Sequence, residues 1–334
     1  MTDTPSETSL VTRTRPVEAG GAIVAAHFLG RDAVFVLGEE SLLFVAPDGA
    51  QHRTAAHDGG ILSSASDGKV IVTGGDDGKI VATNDKGISQ TLAADEKGRW
   101  IDHVAAGPDG AVAWSAGKMV FARTSKGGVK SAGVPSSAGG LAFAPKGLRI
   151  AIAHYNGVSL WFPNAVAKPE FLEWKGVHYS PSISPDGKFV VTCMQEAMLH
   201  GWRIADAKHM RMSGYSARVR SLAWTRDGAF LATGGSEQVI LWPFSGKDGP
   251  MGKQPRLLAP YSSRCVVVAC HPKQDVVAAG FSDGMVLLVR TTDAAEILAR
   301  RPGDAPVTAL AFSADGNTLA FGCDDGAAGL IDLT

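Results

Sequence analysis

Short apolar runs such as 69–73 (KVIVT), 188–192 (KFVVT) and 239–242 (VILW) alternate along the chain with turns rich in Asp and Gly. β-branched and aromatic residues crowd these runs, which suits a pleated surface better than a helix. Several are apolar at consecutive positions, as expected of strands buried on both faces. Asp-Gly at 67–68, 109–110, 186–187, 227–228 and 315–316 suits tight turns, with glycine taking the positive φ. No stretch of about ten residues or more carries a helical period, so the expectation is an all-β fold.

The runs and turns recur as one phrase: strand, Asp-Gly turn, strand, Gly-containing turn, strand. Its clearest copies are 222–235 (LAWTRDGAFLATGG) and 310–323 (LAFSADGNTLAFGC), with relatives starting at Leu62, Val104, Leu141 and Pro181 and weaker ones near Ala26 and Val268. The first turns fall at Asp32, Asp67, Asp109, Lys146, Asp186, Asp227, Lys273 and Asp315, at gaps of 35 to 46 residues. Four short strands in about 40 residues make a propeller blade. The first strand of each copy is rich in small side chains (Ala25, Ala26, Ser63, Ala105, Ala142, Ser182, Ala223, Ala311), which fit where blades converge on an axis. The expectation is one closed β-propeller over residues 9–334 with eight four-stranded blades, or seven if the irregular first or third copy is no blade. Residues 1–8 are read as a disordered stub. The last copy stops after its third strand, 327–333, and 9–15 (SLVTRTR) is β-prone, so the N-terminus is expected to supply the missing outer strand.

Composition narrows the function classes. Of 334 residues, 32 are basic and 33 acidic, a formal charge of −1 that creates no general attraction for nucleic acid or anionic membrane. Cys193, Cys265, Cys270 and Cys323 are too few and scattered for a disulfide framework. Residues 1–20 are polar and lack an apolar core, and no apolar run approaches the roughly 18 residues of a membrane helix. A cytoplasmic protein is expected.

The repeat resembles the WD-repeat (WD40) family. Pro108-Asp-Gly, Pro185-Asp-Gly and Ala314-Asp-Gly match the family's first turn, while 73–78 (TGGDDG) and 233–237 (TGGSE) match its second. Trp161, Trp202 and Trp242 stand at the tryptophan position, and Ile331-Asp332 holds the closing dipeptide with isoleucine for tryptophan. The family's hydrogen-bonded set of His, Ser or Thr, Asp and Trp is incomplete in every copy. Copy two offers His57, Thr73 and Asp77 with Thr83 in place of tryptophan; copy five offers Thr192, Glu196 and Trp202 with no matching Gly-His. The resemblance implies a non-catalytic scaffold that presents its rim to proteins or peptides.

Binding residues concentrate on loops held by a rigid frame. Aligning the copies places Trp100, Asp102, Tyr179, Arg218, Arg220 and Arg264 just before the inner strand, and Asp76, His154, Gln195, Ser282 and Asp324 in the second turn. These eleven are the candidate partner-binding rim, because Trp, Tyr and Arg combine contact area with directed hydrogen bonds. Between Arg203 and Arg226 the chain also carries Lys208, Arg211, Arg218 and Arg220 against Asp206 alone, a local charge of +5. Such a stretch attracts an acidic or phosphorylated peptide; it is too small, in a neutral chain, to favour nucleic acid. The expected protein is a monomer or one subunit of a hetero-complex. No cofactor and no catalytic residue is assigned. Residues 280–284 (GFSDG) match a nucleophile-elbow pattern but lie on a turn between strands, and 66–69 (SDGK) is a chance match. The alternatives are a propeller enzyme with its site at the channel mouth, or a metal-binding accessory protein using Cys265, Cys270, His271, His27 or His103 on inner strands.

Overall fold

The computed structural model describes residues 9–124 and 127–334; the stub expected at 1–8 therefore lies outside the described residues. Strands dominate, and among the described residues the only helices are the single 3-10 turns Val11–Arg13 and Pro108–Gly110. Copy one sets the plan: Ile23–Leu29, Asp32–Leu37, Ser41–Val45 and Gln51–Ala55 lie side by side in chain order. Inner strands touch those of neighbouring copies, and the inner strand of copy eight, Val307–Phe312, touches that of copy one. The sheets thus close into a propeller.

The strands form seven sheets, six of four strands and one of six, where the repeat count favoured eight. The irregular first and third copies are ordinary four-stranded sheets; it is copies four and five that merge. Ile150–Trp161 pairs through 150–153 with Gly140–Phe143, and through 157–160 with the start of Glu170–Ile183. The far half of Glu170–Ile183 then pairs with Phe189–Met194. No Asp or Pro turn interrupts Lys175-Gly176-Val177, so the outer strand of copy four runs unbroken into the inner strand of copy five.

Burial follows the layering that consecutive apolar runs imply. Phe189–Met194 and Ser41–Val45 are buried at every position, covered on both faces by adjacent sheets. Outer strands such as Gln51–Ala55 are largely exposed. Close approach between sheets depends on glycine. Gly74, Gly234, Gly280 and Gly322 occupy one position near the end of the second strand. An added Cβ would lie 2.6 Å from Ile101 Cγ2, 2.8 Å from Cys265 O, 2.7 Å from Val307 Cγ1 and 2.5 Å from Ile23 Cγ2, respectively. Cys265, Val307 and Ile23 each open the inner strand of the following copy, and Ile101 stands two residues before His103–Ala106. Gly280→Ala is therefore expected to cost about 1–3 kcal/mol through overpacking, as a lowered midpoint of denaturant unfolding. An unchanged midpoint would show that the ring expands freely.

The N-terminus does complete the last sheet, but with a later segment than expected. Thr14–Glu18 pairs antiparallel with Ala327–Asp332, Thr14 opposite Ile331 and Glu18 opposite Ala327. Pro16 is tolerated because an outer strand has one free edge. Ser9 instead forms a parallel bridge to Leu298 on the outer strand of copy seven, and Leu10 is buried among Ala299, Phe321 and Ile331. The first described residues therefore staple copy seven to copy eight.

Candidate partner-binding site at the channel mouth

Internal hydrogen-bond sets fix the turns that form the rim. In copy two, His57 Nδ1 lies 3.0 Å from Asp77 Oδ1 and Nε2 lies 2.8 Å from Thr73 Oγ1. Burial pushes the Asp77 carboxyl up, but hydrogen bonds from the Lys79 amide, His57 and the Asp58 amide together hold it below its ordinary value. Copy six builds the same link from other residues. Trp242 Nε1 donates to the Tyr215 hydroxyl at 2.7 Å, and that hydroxyl lies 2.9 Å from Thr233 Oγ1. Copy five does contain its histidine: His178 Nδ1 is 2.8 Å from Thr192 Oγ1, with its ring beside Trp202. Sequence matching missed Tyr215 because tyrosine replaces histidine after Gly214. It missed His178 because that residue stands one position beyond Gly176-Val177.

Between these sets the chain enters each inner strand through a recurring irregularity. The ladder skips one residue between Ile23 and Ala25, Ile61 and Ser63, Cys265 and Val267, and Val307 and Ala309. In every case the residue before the skip is buried and the skipped one, Val24, Leu62, Val266 or Thr308, is at least partly exposed. Copy six has the same arrangement, with buried Val219, exposed Arg220 and Ser221 bonded through its carbonyl to the Gly234 amide. Copy three follows with buried Ile101, half-buried Asp102 and His103 opposite Ser115. A bulge re-aims one side chain per strand. An apolar–x–small pattern (IVA, ILS, VRS, VTA) marks the position in the sequence, and it becomes visible only once the copies are aligned.

Four of these positions border a cavity of about 1000 Å³ at the channel mouth: Val24, Arg220, Val266 and Thr308, joined by Arg218, Arg264 and Asp324. Its charge is uneven. The Arg220 and Arg264 side chains have no hydrogen bond or ion pair among the described residues, whereas Arg99, Arg203, Arg226 and Arg290 each grip an aspartate. Arg218 lies flat over Tyr179, 4.0 Å from its ring centre, and reaches Gln195 at 3.3 Å, yet its Nε is buried without a partner. His27 lines the cavity too, but burial pushes its pKa down to about 4, so it adds no charge at neutral pH.

The eleven rim candidates sort accordingly. Arg218, Arg220, Arg264 and Asp324 share the cavity, with Tyr179 and Gln195 supporting Arg218. Ser282 accepts a hydrogen bond from the Arg264 amide at 3.3 Å. Trp100 is 60% exposed, and Asp76 and Asp102 are half-buried, away from that cavity. His154 is not a surface residue: it is buried, donating from Nδ1 to the Tyr155 carbonyl and bonded through Nε2 to Ser159. Its exposed neighbour is Tyr155, because side chains alternate along the strand. The +5 stretch also divides. Asp206 and Asp248 neutralise Arg203, Asp275 pairs with Arg226, and only Arg218 and Arg220 reach the mouth. As for metal, His271 spends both nitrogens on Gly316 and on the amides of Lys273 and Gln274. No group of three or more His, Cys, Asp or Glu able to hold an ion occurs among the described residues.

Comparison with known proteins agrees with this geometry. The family model "WD domain, G-beta repeat" matches residues 50–81 and 208–243, and the model "Anaphase-promoting complex subunit 4 WD40 domain" matches 268–334. No curated protein sequence matches the chain. Among solved structures, the computationally designed Ika8 protein superposes with a TM-score of 0.78 at 18% identity, covering 98% of this chain and 100% of that one. Repeat matches in three separate stretches, the His57–Thr73–Asp77 set and the ring closed by its own N-terminus together support a WD40 β-propeller family.

Proposed function

We propose that the protein is a non-catalytic scaffold that binds an acidic segment of a partner protein at the channel mouth, through Arg220 and Arg264 with Arg218 behind them. WD40 propellers generally serve protein interaction, and the single observation that carries the reading is the concentration of three guanidinium groups in one cavity, none of them in an ion pair among the described residues although Glu237 acts on Arg264 through space. Charge left unpaired at a surface costs little in water and is available to a ligand carboxylate, where an Arg–carboxylate contact is strong and directional. Four free cysteines, three of them buried, support a reducing compartment such as the cytoplasm. Counted by sequence copies the ring has eight blades, two sharing the six-stranded sheet; the pairing of Ile150–Trp161 and Glu170–Ile183 on two sides supports that count.

The test is recovery of partners from host extract by the wild-type chain and by Arg220→Glu/Arg264→Glu. Both residues are exposed, so melting should be unchanged while specific partners drop about tenfold or more, the equivalent of roughly 1.4 kcal/mol. Undiminished recovery of the same partners would remove the mouth from the model.

A further inference from the structure

We infer that the channel mouth recognises a peptide segment in which acidic and aliphatic side chains are neighbours, rather than an isolated negative charge; this rests on the mouth being the binding site. The mouth has two unlike arcs. Copies six and seven contribute Arg218, Arg220 and Arg264. The adjoining bulge positions, passing from copy seven through copies eight and one to copy two, are Val266, Thr308 and Val24, which line the cavity, and Leu62, which lies just outside its lining. Val24 and Leu62 are 49% and 43% exposed. Aliphatic side chains held in water at two homologous positions, when the buried residues beside them are Ile23 and Ile61, are a surface waiting for cover.

Charge and shape then choose the occupant. Three guanidiniums against Asp324 in the lining and Glu237 beside Arg264 leave a net positive mouth, which calls for an anionic partner. A cavity of about 1000 Å³ is far larger than one phosphate group, and its cations come from separate positions on two copies. An extended segment meets both arcs at once, with carboxylates on the arginines and aliphatic groups on Val24 and Val266, and exposed Leu62 beyond the cavity as the next position along its path. Side chains alternate along an extended chain.

The experiment uses the full chain and four fluorescein-labelled decapeptides read by anisotropy: alternating Glu-Leu, alternating Glu-Ser, alternating Gln-Leu, and a Gly-Ser peptide with one phosphoserine. The Glu-Leu peptide should bind about tenfold or more tighter than the other three. Val24→Ser/Leu62→Ser should bring it down to the Glu-Ser level without altering melting. Arg220→Glu/Arg264→Glu should abolish binding of both acidic peptides. Equal affinity for Glu-Leu and Glu-Ser would overturn the two-arc assignment while leaving the basic mouth in place. Preference for phosphoserine would replace it with a phosphate site. No binding of any peptide to the wild-type chain would overturn the mouth reading itself.

Discussion

A chain lacking residues 1–18 is expected to lose about 5 kcal/mol or more of stability, a fall in melting temperature on the order of 10 °C, and to aggregate on purification. Three losses combine. The ladder from Thr14–Glu18 disappears, which strips the edge of Ala327–Asp332. Val17, 2% exposed, leaves the cluster it forms with Phe35, Leu43 and Leu330, and Leu10 leaves Ile331; each buried side chain of this size contributes about 1.5–3 kcal/mol. The bridge from Ser9 to Leu298 goes as well. Adding residues 9–22 after Thr334 in the truncated chain should recover most of the stability, since the Arg13 side chain already meets the Thr334 carbonyl. If truncation left thermal unfolding unchanged, the closing strand would be ornamental.

Acid lability is the second large effect. Burial lowers the pKa of His27 to about 4 and of His200 to about 3, and it also lowers those of His103, His154, His178 and His271. The folded protein holds His27 and His200 neutral well below the pH near 6.5 at which the unfolded chain protonates them, and the other four rings are shifted in the same direction. Their contribution is fully present above pH 6.5, declines as pH falls, and levels off only below the folded values. At pH 5 each ring that stays neutral costs about 2 kcal/mol relative to pH 7.5. His200 is the sharpest case. Its ring is fully buried, stacked 4.2 Å from Trp174 and 5.4 Å from His209, and neither nitrogen has a partner. His200→Phe keeps a flat ring in that stack and removes the titration. It should match or exceed the wild type at pH 7.5 and lose about 2 kcal/mol less on going to pH 5, measured by urea unfolding at both values. Identical pH profiles would show that His200 takes up a proton without loss.

The strands, turns and ring were legible because one physical demand, two-sided burial of short strands, repeats along the chain. Asp67-Gly68 and Asp315-Gly316 turn where expected. Copies four and five escaped the same reading because sheet separation depends on whether a strand stops, and nothing in Trp174–His178 announces that it continues. The closing strand was placed five residues early because Ser9–Arg15 has good β propensity, whereas burial of Val17 decided the register. Arg218, Arg220 and Arg264 were found by aligning copies. Val24 and Leu62 were not, since an aliphatic residue in a strand looks like core until the bulge that exposes it is seen.

The bulge separates two jobs that strands usually share. Ile23, Ile61, Val219 and Val307 are buried in the ring, while the very next residue in each is at least partly exposed, and Val24, Arg220 and Thr308 among these border the mouth. Under the proposed binding role, selectivity can therefore drift one copy at a time, by single substitutions at 24, 220 or 266, whereas Thr308 is tied to the carbonyls of Ile23 and Gly322. A descendant with a different partner would need no new loop, only a new set of letters at those few places.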